Sequence, residues 1–319
     1  MASAPVSSGP PSLRRISPGM AGFLSLAAFA SLPFVPLLGA FIALLAPLPL
    51  VHMLANGRSS FLGWGWVTVA LAGAALAVPS PWLVGACAGY VLVAVLPAVA
   101  VEWWLRKRWS TGRFVALVTL LALAFSFAVL AGLSAPTAPA VAVAAALANA
   151  TKGSAELLRT LGGPGTGSEE LFAWMVRQTA YFLPALAAIY VTSSVLWLRG
   201  RLPQMGLPLG SEPFAFYRSE EWLPIGFVAG ALAWVFLSEP VKWLAGNLLA
   251  TVAGLYLVGG LAIIHFYLGP RLSGNRWVRA LLVVLTLQVP VALAVAVFGL
   301  ADTFVRLRRG GAWDGGQQS

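Results

Sequence analysis

Long apolar runs, separated by short polar or proline-rich breaks, make up most of the chain. They occupy residues 20–54, 61–78, 81–104, 113–134, 172–198, 222–238, 241–268 and 279–303. About 20 consecutive apolar residues cross a bilayer core as a helix. Within each run the apolar positions are continuous, whereas the strands of a membrane barrel would alternate. The pattern predicts an all-α fold, a polytopic transmembrane helical bundle of about 8–9 spans.

The first run is too long for one span and too short for two full ones with a loop. Pro33 and Pro36 interrupt it, so a short helix, a break near Pro33 and a second helix ending near Leu54 are expected. Residues 1–18 are rich in Ser, Pro and Gly and end near Arg14 and Arg15, which predicts a disordered basic tail. The transmembrane domain is expected over 19–305, and a polar tail over 306–319. The stretch up to Ala28-Phe29-Ala30 superficially resembles a signal peptide, but the apolar run continues to Leu54, which favours an uncleaved anchor. Residues 135–170 are Ala-rich and close with Gly162-Gly163-Pro164-Gly165, which predicts an external loop. Those glycines lack the Lys-Ser/Thr of a phosphate loop.

Composition agrees with the pattern. Of 319 residues, 59% are hydrophobic and 9% charged, against about 25% charged in soluble domains. The net charge of +10 lies mostly in short loops, where it sets topology and meets anionic headgroups. No basic stripe with interleaved aromatics marks a nucleic-acid surface. Arg14, Arg15, Arg58, the Arg106-Lys107-Arg108 cluster, Arg113, Arg199, Arg201, Arg218, Arg271, Arg276 and Arg279 fit one side, the cytoplasmic one, with the N-terminus. The expected location is a bacterial cytoplasmic (inner) membrane. Nine spans would put Arg306, Arg308 and Arg309 on the opposite side, so one span is expected to be miscounted. The single cysteine, Cys87, reads as a small core residue.

Polar residues inside the spans narrow the candidate chemistry, because lipid tolerates them poorly. Asn247 and His265 share a helix face but lie about 27 Å apart along the axis. With Thr251 they mark a side turned to other helices, through packing bonds or as a cavity wall. Gln178, Tyr181, Thr286 and Gln288 are the candidate ligand-binding set, with Pro184 and Pro290 loosening their helices. Gly85/Gly89 and Gly226/Gly230 are spaced for close helix approach. No carboxylate lies mid-span, two histidines are too few for a metal site without help, and no nucleophile–base motif stands out. No enzyme activity, metal or cofactor is expected.

Several segments resemble the YybS-like family of bacterial multi-pass membrane proteins. They are Ala46-Pro47-Leu48-Pro49-Leu50 with Asn56-Gly57-Arg58, Glu221-Trp222-Leu223-Pro224, Asn247-Leu248-Leu249 leading into Gly259-Gly260-Leu261-Ala262, and Phe298-Gly299-Leu300-Ala301-Asp302 with Arg306, Arg308 and Arg309. That architecture is similar to the substrate-binding subunits of energy-coupling-factor vitamin importers and to the cell-shape protein MreD. The resemblance implies a small-molecule-binding transporter subunit served by an ATPase-containing module. The alternative is a non-catalytic scaffold for cell-envelope or cell-shape proteins. It also makes Asp302 a structural or partner-docking position, where the residues alone give an acid paired with Arg306 at i+4.

Overall fold

The computed structural model describes residues 16–31, 36–78, 81–107, 109–134, 168–207, 213–272, 285–286, 288–305 and 307–308, with isolated positions between 141 and 148. The described elements are helical: α1 Pro18–Ala30, α2 Pro36–Ala43, α3 Leu48–Ala55, α4 Phe61–Ala77, α5 Pro81–Tyr90, α6 Leu96–Lys107, α7 Thr111–Ser134, α8 Ser168–Tyr181, α9 Leu183–Arg201, α10 Leu223–Phe236, α11 Val241–Leu272 and α12 Val289–Val305. Four stretches are long and apolar enough to cross a membrane: Leu83–Lys107, Thr111–Gly132, Leu183–Met205 and Val241–Gly269. The remaining apolar helices are shorter.

Proline and its partners decide where helices start and bend. Ser17 caps α1, its hydroxyl accepting from the Met20 N–H at 3.3 Å, with Pro18 in the first turn. Between α5 and α6, Val91–Val95 form a π turn, and the Leu96 N–H bonds the Val91 carbonyl five residues back. Pro97 follows at once; it has no N–H to offer the Val93 carbonyl, and the wider turn accommodates that gap.

Three expectations about the spans change. The first run divides further than expected, because a turn at 44–47 parts α2 from α3. The break expected near Pro33, the chain ends and most of 135–170 lie outside the described residues. The run 172–198 is not one helix: α8 stops at Tyr181 and α9 starts at Leu183, with Pro184 in its first turn. The last run does not make one helix from 279 either: α12 starts at Val289, after a bend at Gln288.

The core lies where α3, α6, α7, α9 and α11 meet, around Leu50, Tyr90, Trp104, Phe114, Leu198 and Tyr256. Hydroxyl pairs tie helices together within it: Thr119 with Thr192 at 2.6 Å, and Ser25 with Tyr90 at 3.1 Å. The closest crossing joins α11 to α12. A Cβ on Gly299 would land on the Tyr256 carbonyl, and one on Gly260 on the Val295 carbonyl, so only glycine lets these backbones touch. Of the two spaced glycine pairs, Gly230 faces the α11 backbone and Gly89 faces Phe29, while Gly85 and Gly226 face open space.

The basic loops gather at one end of the bundle, the basic end. Glu102, near the end of α6, takes bonds from the Ser59 and Ser60 hydroxyls and the Ser60 N–H, and pairs with Arg106 at 2.6 Å. Arg199 lies over the Trp104 ring, 5.4 Å from its centroid. Ser110 meets Glu220, and Arg308 bonds the Tyr217 carbonyl. Gly22 packs on Gly63 and Trp66, near the start of α4, so α1 also begins at this end. Arg308 thus sits among the other basic loops rather than at the far end, where nine crossings would put it.

Candidate functional site

Two buried polar clusters distinguish the bundle, one toward each end. The far one is built on Asn247, which is wholly buried on the second turn of α11. Its amide oxygen accepts the Ala185 N–H at 3.0 Å, and its amide nitrogen donates to the Tyr181 carbonyl at 2.9 Å and the Trp243 carbonyl at 3.0 Å. In an unbroken helix the Ala185 N–H would bond the Tyr181 carbonyl directly. Pro184 kinks the chain there, and the carboxamide fills the opened rung. The Trp243 indole also donates to the Tyr181 carbonyl, at 2.8 Å. Thr251, equally buried, donates to the Asn247 carbonyl at 2.8 Å. His265 is exposed near the other end of α11, its ring 5.9 Å from that of Phe214.

The four candidate ligand-binding residues lie on two elements, Gln178 and Tyr181 on α8, and Thr286 and Gln288 just before α12. Gln178 and Gln288 are exposed, Tyr181 is half-buried and Thr286 is buried, and none lines the cavity described below. Tyr181 enters the far cluster through its backbone carbonyl.

The second cluster closes the basic end. Asp302 lies in the last turn of α12, where the helix dipole opposes a carboxylate, and it is 4% exposed. It pairs with Arg308 at 2.5 Å; the expected partner, Arg306, lies outside the described residues. The other carboxylate oxygen accepts the Leu307 N–H at 2.9 Å. The guanidinium also donates to the Ala215 carbonyl and, at 2.7 Å, to the Tyr217 carbonyl. The Tyr267 hydroxyl donates to the Leu307 carbonyl at 2.7 Å. One arginine thereby pins the end of α12 to the 214–217 turn. Burial pushes the Tyr217 hydroxyl well above its ordinary pKa of 10.0.

Beside this clasp opens a cavity of about 500 Å³. Its wall includes Ser110 and Gly112 from the start of α7, Arg218 and Glu220 from the returning loop, and Asp302 and Thr303 from α12. A Cβ on Gly112 would collide with the Arg218 carbonyl, so this glycine sets how closely α7 meets the loop. Ser110 caps α7, accepting from the Arg113 N–H at 3.3 Å, and touches Glu220 at 3.4 Å. No pattern in the sequence groups Glu220 and Glu221 with Asp302. They stand about 80 positions before Asp302 in the sequence and only the fold joins them. The lining offers carboxylates, a guanidinium and hydroxyls for a small polar molecule. Among the described residues no group of three or more His, Cys, Asp or Glu is placed to hold a metal ion.

These features define a polytopic helical membrane protein with a polar cavity at one end. A family model described as a predicted membrane protein (DUF2232) matches residues 23–303. The chain belongs to that family. No curated protein and no solved structure matches it.

Proposed function

We propose that the protein is a non-catalytic membrane subunit that binds a small polar molecule in the cavity at its basic end. The observation that carries this reading is the cavity itself. Its volume, about 500 Å³, falls within the roughly 300–1,000 Å³ usual for small-molecule sites, and charged and hydroxyl groups converge on it. Substrate transfer across the bilayer would require an ATPase-containing module as partner, in keeping with the resemblance of the YybS-like segments to energy-coupling-factor substrate-binding subunits. The basic end faces the cytoplasm of a bacterial inner membrane by the positive-inside rule. That α1 starts and Arg308 lies at this same end supports an even number of crossings.

The test is thermal unfolding in mild detergent against a metabolite panel. A ligand that binds only the folded state raises the melting temperature by mass action. That shift should vanish in Ser110→Trp, which fills the cavity, and shrink in Glu220→Gln. If no compound shifts the wild type, the reading fails.

A second reading, a scaffold for envelope or cell-shape proteins, is favoured by the exposure of Gln178 and Gln288. Mild-detergent purification from the native host with mass spectrometry separates the two. Retained ATPase subunits favour transport, and retained wall-synthesis or cytoskeletal proteins favour the scaffold.

A further inference from the structure

The charges around the basic-end cavity narrow what it can hold. Three carboxylates, on Glu220, Glu221 and Asp302, and one guanidinium, on Arg218, line it. The Asp302 charge is already met by Arg308. Among the described residues, Arg218, Glu220 and Glu221 enter no ion pair. Two negative groups and one positive group therefore border the same space of about 500 Å³ without neutralising one another. The loop that carries them is fixed in place. The Arg218 carbonyl lies against Gly112, and the Glu220 carboxylate meets Ser110 at 3.4 Å. Arg218 and Glu220 are two positions apart, so their Cα atoms stand at most about 7 Å from each other. One small molecule can reach both side chains.

An anion alone would be drawn to Arg218 and repelled by two carboxylates. A cation alone would be drawn to the glutamates and repelled by the guanidinium. A molecule with an ammonium at one end and a phosphate or carboxylate at the other matches both signs. An ammonium offers three donors to carboxylate oxygens, and a guanidinium holds phosphate or carboxylate through two parallel bonds. Phe216 and Trp222 also line the cavity, and aromatic rings attract an ammonium. The wall combines the start of α7, the loop before α10 and the last turn of α12. Helix ends of a bundle lie at the depth of lipid headgroups rather than tails. Both a dissolved zwitterion and the headgroup of phosphatidylethanolamine carry this chemistry.

We propose, on the binding reading above, that the ligand of this cavity is a zwitterion, with its ammonium on Glu220 and Glu221 and its phosphate or carboxylate on Arg218. The test follows melting temperature and affinity of the full chain in dodecyl maltoside. Glycerophosphoethanolamine and β-alanine are the zwitterionic probes, and ethanolamine and glycerol phosphate carry one charge sign each. A zwitterion should raise the melting temperature above either single-sign compound. Glu220→Gln and Arg218→Gln should each cut its affinity roughly tenfold or more, the worth of a hydrogen bond to a charged group. Arg218→Lys, which keeps the charge, should retain most of the binding. Nanodiscs of phosphatidylglycerol, with and without phosphatidylethanolamine, then separate the two sources. A probe shift that is lost when phosphatidylethanolamine is added names the lipid headgroup, and an equal shift in both discs names a dissolved molecule. A single-sign compound that matches or exceeds the zwitterions, or affinity unchanged in folded Arg218→Gln, overturns the proposal and leaves the cavity reading standing. No shift from these probes or from the metabolite panel overturns both.

Discussion

Asn247 and Asp302 both sit buried near helix ends, yet their surroundings differ. The far cluster is neutral and sealed, and its carboxamide bridges a rung that Pro184 opened. The basic-end cluster is ionic, adjoins open volume, and joins segments more than 90 positions apart. In lipid a stranded backbone group must find a partner, and a side-chain amide can supply one without leaving a cavity. A charge pair needs more, because each ion loses its hydration on burial. The clasp meets that need with backbone carbonyls and a nearby polar space. A buried polar residue is thus better read by whether its cluster is closed than by its type. The closed cluster holds the helices in place, and the open one is the candidate for binding.

The largest effect should come from Arg308→Ala, which strands the Asp302 carboxylate. Breaking a buried pair costs about 3–5 kcal/mol, readable as a fall in melting temperature in detergent. Adding Asp302→Asn should recover part of the loss, and a cost below that of any far-cluster variant would collapse the distinction between the two ends. Next is Asn247→Leu. The Tyr181 carbonyl keeps its Trp243 donor, so one buried N–H, that of Ala185, is left alone, at about 1–3 kcal/mol. Combining it with Pro184→Ala should cost less than Asn247→Leu alone, because the helix can then close its own rung; full additivity would refute the bridge. Thr192→Val should matter less, about 0.6 kcal/mol, because only one hydroxyl of the Thr119 pair donates across, and Thr119 can donate to the Val115 carbonyl once Thr192 is gone. The smallest effect is on pH dependence. The folded pKa of Tyr217 is raised, so its contribution is complete below the unfolded value near 10 and is lost as pH rises above it. Tyr217→Phe should flatten the decline in melting temperature above pH 10, and an unchanged slope would place the titration elsewhere.

Hydropathy alone gave the all-helical membrane class, because a continuous apolar run needs no tertiary knowledge. Prolines marked the weak points of the helices, but not which side chain would mend them. The rung at Tyr181 and Ala185 looked like part of a single span until Asn247, more than 60 positions away, completed it. The charge rule grouped Arg308 with the other basic residues, and the fold places it at their end of the bundle, while a count of nine spans argued against that. The basic-end cavity was not legible at all. Its wall is assembled from the start of α7, the loop before α10 and the end of α12, and no local pattern announces that meeting. The i+4 rule pointed Asp302 to Arg306, which lies outside the described residues; the helix ends at Val305, and the turn beyond it brings Arg308 onto the carboxylate, a contact the i+4 rule did not foresee.

The Arg308 clasp also imposes a schedule. Its Ala215 acceptor leaves the ribosome 93 residues earlier. At roughly 5–20 residues per second, that carbonyl waits about 5–19 s for its donor. During that interval α11 holds the 214–217 turn through the Phe214–His265 and Phe216–Phe266 ring contacts. The basic end is therefore among the last parts of the molecule to reach its final form, and a partner present during synthesis would meet it unlatched.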